Sequence, residues 1–413
     1  MIFSAKLSRY LLVVTFIIVV SIVLPKFYSM LFYKSYNGPR VYFSPISEIF
    51  LLTKYNGKEV IRVDKSGKIY SREEFESLTP LFNYRQLLYR NEMPDSIKGI
   101  LIDIQDVKLN NVFFSIKPSD IFRYLVPLNP LIESAPGRPD IQMPKEFFRI
   151  DDKMEFINCK TNEIDEDFSN LFNNKLFENE FSFPAKGIYG NPTTKKPFDE
   201  GYFVIDKSNN LFHIKQINNM PFVRKVEIPK GIKIDYIYLK ESNLKEFYVL
   251  FITNENKIFI VSYDDYKIIE MPSEGYDRKE MQLVFMGNKF YRELNFISNN
   301  HIKTIVTDRS YKTIDIYEET WKTNKDYLVG DLTNYLFPFQ LSLTNNNNLF
   351  VGFYLKFSDF RFLITNSLLA IIFFIYQRKQ VNKFGSKQLF DFVIILSTGF
   401  YGILALLIIK EES

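Results

Sequence analysis

Three apolar stretches bracket a long segment in which apolar and polar positions are mixed. The first runs from Tyr10 to about Phe32, the second from about Phe362 to Tyr376, and the third from Leu389 to Ile409. A helix needs roughly 20 mostly apolar residues to cross a bilayer. The third stretch meets this, and the first does if Lys26 reaches the interface beside Phe27, Tyr28, Phe32 and Tyr33. The second is shorter and carries Thr365, Asn366 and Ser367. The pattern predicts three transmembrane α-helices, at 10–33, 359–377 and 389–409, around a mainly β part.

Within that part, residues 187–358 predict strands joined by asparagine turns. Tyr202–Ile205 and Leu211–Ile214 flank Asn209-Asn210, Phe247–Ile252 and Ile258–Val261 flank Asn254, and Glu293–Ile297 and Ile302–Val306 flank Asn299-Asn300. Asn209, Asn254 and Asn299 are spaced 45 residues apart. A fourth unit is expected around Asn346, with Phe339–Leu343 and Leu349–Phe353 as its strands. A further strand trails each of the first three hairpins, at Phe222–Ile228, Tyr266–Met271 and Tyr311–Tyr317. Repeats of this length built from strands are what propeller blades show, although no Trp-Asp or kelch signature is present, and a sandwich fits the same spacing.

Residues 34–186 are more irregular, with ten of the 18 prolines between Pro39 and Pro144. A hairpin is expected around Asn56-Gly57, between Ile49–Leu52 and Val60–Val63, and a turn at Lys65-Ser66-Gly67. Ser71 with Glu74 forms a capping box, and Pro80 opens a second short helix to Arg90 with Leu81, Tyr84, Leu87 and Leu88 on one face. Another helix is expected near Phe168, Leu171, Phe172 and Leu176.

Charge orients the chain. Lys6 and Arg9 precede the first stretch, and 378–388 holds Arg378, Lys379, Lys383 and Lys387 without an acid. Basic loops stay in the cytoplasm. The N-terminus (1–9) and the 378–388 loop are therefore expected inside, and the large part and the 410–413 tail outside. Pro25–Met30 offers no small-residue cleavage site, so the first stretch reads as an uncleaved anchor. The formal charge of +4 comes from the membrane-flanking residues, which leaves 34–358 near neutrality and without a footprint for nucleic acid. The single cysteine, Cys159, excludes an intramolecular disulfide, is expected to be buried, and suits a bacterial periplasm. The location expected is a bacterial inner membrane.

Candidate chemistry is sparse. His213 and His301 lack helical metal-ligand spacing and read as strand or turn residues. The Gly187–Lys196 run is wrongly spaced for a phosphate cradle and loses an amide donor at Pro192, so it reads as a solvated loop. Asp151-Asp152, Asp199-Glu200 and Asp264-Asp265 are adjacent acid pairs near turns, where acids commonly serve as caps. Asp391 is expected to reach water, with pairing to Arg378 or Lys387 or a place on a proton path as the alternatives. No catalytic, cofactor-binding or metal-ligating residue follows from the sequence.

Several short motifs carry a resemblance: Tyr70–Leu78, Tyr84–Leu87, Met93–Ile97, Phe183–Lys186, Gly190–Thr193 and Asp199–Phe203. In these the chain resembles an uncharacterised membrane-protein family of Bacteroides and related bacteria, domain of unknown function 4857. The resemblance runs through most of the segment between the apolar stretches and includes its flanks. It implies kinship with proteins encoded beside permease and ATPase genes of ABC-type exporters, and it assigns no site residue.

Three function classes follow. The first is a non-enzymatic accessory, binding or sensor subunit, with ABC transporter permease and ATPase subunits as partners. The second is a membrane-anchored hydrolase using carboxylates in a cleft. A transporter in its own right comes last, because three spans with few charges make no pathway alone.

Overall fold

The computed structural model describes residues 2–34, 38–55, 57, 59–380 and 385–409. Asn56 of the expected hairpin turn, Lys383 of the basic loop and the 410–413 tail lie outside the described residues. The chain forms two compact units, one from Pro39 to Glu319 and one from Met1–Gly38 with Thr320–Ser413.

The chain opens with α1 (Ile2–Phe32), then β1 (Arg40–Phe43), β2 (Phe50–Tyr55) and β3 (Val60–Asp64). Two short helices follow, α2 (Arg72–Leu78) and α3 (Tyr84–Arg90), and a two-residue pair, β4 (Ser96–Ile97) with β5 (Ile100–Leu101). Next come α4 (Ile104–Asn110), β6 (Val112–Ile116), α5 (Pro118–Ile121), β7 (Asn129–Pro130), β8 (Glu146–Ile150), β9 (Met154–Asn158) and α6 (Glu166–Glu178). Twelve strands then run almost without interruption. They are β10 (Gly187–Gly190), β11 (Tyr202–Ile205), β12 (Leu211–Ile217), β13 (Met220–Val226), β14 (Ile234–Leu239), β15 (Phe247–Thr253), β16 (Ile258–Ser262), β17 (Ile268–Met271), β18 (Gln282–Gly287), β19 (Arg292–Ile297), β20 (His301–Thr307) and β21 (Thr313–Thr320). The chain closes with α7 (Leu328–Leu336), β22 (Phe339–Ser342), β23 (Tyr354–Phe357), α8 (Phe362–Gln380), α9 (Ser386–Thr398) and α10 (Phe400–Ile408).

The first unit is rich in antiparallel sheets. β10–β13, β14–β17 and β18–β21 are successive four-strand meanders, the last extended by β6 on β18, and β1–β3 and β7–β9 form three-stranded sheets. Adjacent side chains on a strand point to opposite faces, and each interior sheet uses both. In β11, Tyr202 and Val204 pack toward β7–β9 and α6, while Phe203 and Ile205 pack toward β14–β17. In β15, Val249 and Phe251 face back to β10–β13, while Leu250 and Ile252 face on to β18–β21. Burial on both faces explains why these strands are continuous apolar runs, not alternating ones. Each such phenylalanine contributes about 1.5–3 kcal/mol by leaving water. Beyond β18–β21 lies β1–β3, joined through Phe43 on Tyr291 at 5.1 Å and Phe50 on Tyr317 at 5.5 Å.

The three expected hairpins and their trailing strands are present, and each gains a leading strand (β10, β14, β18) that the turns did not mark. β10 occupies part of the run expected to be loop. The second turn places Asn256, not Asn254, in the left-handed region. The fourth unit does not continue the stack. Phe339–Ser342 pairs with Tyr354–Phe357 in a separate two-stranded sheet, and Leu349–Phe353 is not a strand. Asn345 and Asn348 side chains tie up the intervening backbone as local caps, which keeps it out of a ladder. The Ser71 box caps α2 as expected, with Glu74 N donating to Ser71 Oγ at 3.1 Å. α3 starts at Tyr84 because residues 79–83 form a turn closed on Thr79, and Leu88 faces solvent. In α6, Phe172 and Leu176 are buried while Leu171 is exposed.

In the second unit, one described helix, α1 over Leu7–Phe32, is long and apolar enough to cross a membrane. Its buried stripe, Val13, Ile17 and Ser21, follows helical spacing, and Val13 and Ile17 belong to a core with Ala370, Tyr401 and Ala405. The third apolar stretch is not a single helix. At Gly399 (φ 57°, ψ −125°) the chain reverses, and a Cβ on Gly402 would stand 3.1 Å from Ile394 Cγ2. Arg9 confirms the reversal, with Nη1 3.7 Å from Asp391 Oδ1 and Nε 3.5 Å from the Ile409 carbonyl. In a straight helix those two residues would stand about 27 Å apart. Of the three expected spans, one described helix is long and apolar enough to cross a membrane; the second is the 19-residue α8, and the third is a folded-back helical hairpin, α9–α10.

Candidate functional site

The first-to-second-strand loops of two neighbouring sheets, 191–201 and 240–246, meet in a buried ionic cluster. Lys196 Nζ donates to Asp199 Oδ1 at 2.5 Å, Glu241 Oε1 at 2.7 Å and the Asn191 carbonyl at 2.7 Å, which uses all three of its protons. Asn191 Nδ2 donates to Glu241 Oε2 at 2.7 Å, and Ser134 Oγ and Gly201 N complete Asp199 Oδ2. The Lys196, Asp199 and Glu241 side chains are at most 3% exposed. Gly201 makes the approach possible: its φ is +63°, and a Cβ would stand 2.3 Å from the Ile214 carbonyl.

Glu200 organises an aromatic neighbour of this cluster. Lys215 Nζ donates to its Oε2 at 2.8 Å and Tyr263 OH to its Oε1 at 3.1 Å. His213 is fully buried and stacks on Phe203 at 4.3 Å. Its Nε2 lies 2.6 Å from the Glu200 carbonyl, which can only accept, so the proton sits on Nε2 and Nδ1 accepts from Tyr266 OH at 2.7 Å. Burial pushes the imidazole down to about 3, so it stays neutral and its 3.9 Å approach to Glu200 Oε2 is not an ion pair. With both nitrogens engaged, His213 is a buried connector with no lone pair or proton free for catalysis.

The next pair of sheets repeats the theme. Glu246 takes the Arg292 guanidinium at 2.9 Å (Nε) and 2.6 Å (Nη2), and Tyr311 OH at 2.6 Å. In each case an acid just before the second strand of one sheet accepts from a tyrosine on the third-to-fourth-strand turn of the next. These carboxylates join sheet to sheet.

A cavity of about 430 Å³ opens beside the cluster, lined by Lys108 and Phe113 on one side and Lys240, Glu241, Glu246 and Phe247 on the other. Lys240 Nζ donates to the Phe113 carbonyl at 2.8 Å, and burial lowers its pKa. Its size suits a small ligand. A wider cleft of about 800 Å³ lies among Glu133, Arg138, Lys145, Asp165 and Gln216.

Of the acid pairs, Asp199-Glu200 alone lies at the centre of a buried site. Asp151-Asp152 and Asp264-Asp265 are exposed turn residues, with Asp265 paired to Arg224 at 2.7 Å. His301 meets Glu318 at 2.7 Å on β20, away from the cluster. Cys159, expected to be buried, is exposed in the turn after β9. Asp391, expected to reach water, is buried: it accepts from Gln377 Nε2 at 3.3 Å, and Arg9 Nη1 stands 3.7 Å from its Oδ1, because the hairpin brings α9 against α1. Among the described residues no group of three or more His, Cys, Asp or Glu is placed to hold a metal ion. Lys196, from the run read as a solvated loop, and Glu241, Lys215, Tyr263, Glu246, Arg292 and Tyr311 were missed. One signal was available: Glu200-Gly201-Tyr202-Phe203-Val204 and Glu246-Phe247-Tyr248-Val249 both set an acid before an aromatic, apolar strand.

Stacked antiparallel meanders cross-linked by buried acids define a β-rich module whose polar groups are largely committed to structure. The chain belongs to the family described as a domain of unknown function (DUF4857), which matches residues 40–307 and so includes the whole ionic cluster. No curated protein matches the chain.

Proposed function

We propose that the protein is an integral membrane protein of a bacterial inner membrane whose sheet-rich unit acts by binding, as an accessory or sensor subunit of an ABC-type transport system. One observation carries the membrane part: α1 presents most of its apolar side chains outward, among them Leu11, Leu12, Val14 and Val23. A helix that is apolar all round and uncovered needs hydrocarbon for a solvent. Lys6, Arg9 and the basic link after α8 stay in the cytoplasm, which puts the sheet-rich unit in the periplasm. α1 and α8 cross, and α9–α10 enters and returns, so Ile409 ends on the side of Arg9.

Consecutive meanders, each stacked on the next, support a propeller-like array over a two-sheet sandwich. Binding is favoured over hydrolysis by the state of the carboxylates. Glu241 and Glu246 at the cavity are both held by cations, whereas two-carboxylate chemistry needs a free acid and base. The tag-purified protein in mild detergent is expected to bring down a permease and its ATPase in stoichiometric amounts, and its recovery alone would sink the accessory role. Reporter fusions at residue 200 and after Ile409 are expected to report periplasm and cytoplasm respectively. The opposite pattern would sink the topology.

A further inference from the structure

The segment between α7 and α8 shows an apolar surface that the fold leaves uncovered. Leu349, Val351, Phe353, Leu355, Phe357 and Phe360 are all exposed, Phe353 at 78% and Phe360 at 83%. Monomeric surfaces rarely gather so many large apolar side chains in one short segment. We propose that the β22–β23 hairpin and α7 form an interfacial collar that lies in the headgroup layer of the outer leaflet, with lipid as the occupant of this face. The inference rests on the membrane reading above.

Three observations favour lipid over a protein partner. First, the face is continuous with helix surfaces that are themselves apolar and exposed. Phe360 leads directly into α8 with Leu363 and Ile364, and α1 ends in exposed Met30, Leu31 and Phe32. The charged residues between them, Asp359 and Arg361, are paired with each other. Second, α7 is amphipathic. Leu328 and Leu332 share its outer face, while Asp331 is tied to Arg361, the Val329 carbonyl accepts from Tyr28 OH at 3.0 Å, and Gly330 is buried. Short helices of this pattern rest in the interface plane. Third, charge is neutralised locally, since Arg361 also pairs with Asp359.

The depth is set by hydrogen bonding. Among the described residues β23 pairs on one edge only, with β22, so its other edge turns N–H and C=O groups away from the ladder. Such an edge has no place in the hydrocarbon and finds its partners among headgroups and water. Phenylalanines at this level therefore reach the upper acyl chains while the backbone stays hydrated.

The test uses single-tryptophan versions of the full chain. Trp321→Phe removes the native tryptophan, and Phe353→Trp, Val14→Trp and Tyr89→Trp are each added to it. Each is placed in phosphatidylcholine vesicles brominated near the headgroup or deep in the chain. For Phe353→Trp the expected result is loss of emission to shallow bromines, less loss to deep ones, and a blue shift relative to Tyr89→Trp. Quenching of Val14→Trp with none at Phe353→Trp overturns the collar and leaves the membrane reading standing. A blue-shifted but unquenched Phe353→Trp also overturns it, in favour of a second copy of the chain. No quenching at either position overturns both readings. If the Trp321→Phe background fails to fold, Phe353→Cys and Val14→Cys in a Cys159→Ser chain, labelled with a polarity-sensitive dye, give the same discrimination.

Discussion

The sheet-rich unit and the helical unit put opposite things inside and outside. In the first, phenylalanines such as Phe203, Phe212 and Phe251 are fully buried, and the charges that enter the interior do so as bonded networks around Lys196, Glu200 and Glu246. In the second, long apolar side chains face outward along α1, α8 and β23, and the core is a small one that includes Val13, Ile17, Ala370, Tyr401 and Ala405. One rule produces both. Apolar surface turns toward whatever is least like water, so the inversion is evidence about the surroundings of each unit.

The comparison breaks most sharply at Lys196. Lys196→Met leaves Asp199 and Glu241 buried without their shared cation, and the full chain is expected to lose about 3–5 kcal/mol in denaturant unfolding. Adding Glu241→Gln and Asp199→Asn should return part of that loss, and full additivity of the three changes would refute the network.

Glu293 is the exception that sharpens the contrast, a fully buried acid in the sheet-rich unit with only Phe43 N on Oε1 at 3.3 Å and nothing on Oε2. Burial pushes its pKa from 4.5 up to about 8. The folded state therefore holds a proton that the unfolded state has released, and stability falls as pH rises across that window, by about 1.4 kcal/mol per pH unit. Glu293→Gln should flatten the slope between pH 4.5 and 8, and an unchanged slope would place the titration elsewhere.

The remaining expected effects are smaller. Gly399→Ala forces an L residue into a left-handed conformation against Asn366, at a cost of about 1–3 kcal/mol. It should make a label placed after Ile409 more accessible if the fold-back opens. Asp265→Ala, which breaks an exposed pair with Arg224, should change stability by no more than about 1 kcal/mol. A larger loss would mean that this turn carries weight in the stack.

Much of the sheet architecture was legible because asparagine announces its own turns. Asn209 takes positive φ where its hairpin was expected, and the tight strand–turn–strand pattern fixes the pairing. The leading strands were not marked by asparagine: Ile234–Leu239 and Gln282–Gly287 follow proline–glycine turns at Pro229–Gly231 and Pro272–Gly275, with both glycines at positive φ. The ionic cluster was only half visible. Asp199-Glu200 stands out as an acid pair with Lys196 three residues before it, but Glu241 and Tyr263 belong to the next sheet, and only stacking brings them to it. Hydropathy located the third apolar stretch and missed that it folds back, since an average over 389–409 is the same for a straight helix and a folded one. Ser397-Thr398-Gly399 was the available hint.

The order of the stack has a consequence for how the chain is made. β1–β3 emerge early in synthesis, yet the surface they pack on, around Tyr291 and Tyr317, belongs to strands that emerge more than two hundred residues later. Until β18–β21 exist, Phe43 and Phe50 have no place to go, and the same holds for β6, whose partner is β18. A chain that must hold its earliest strands in reserve folds slowly and exposes sticky edges while it waits. In such a chain, closure of the sheet stack is timed by the arrival of its last strands.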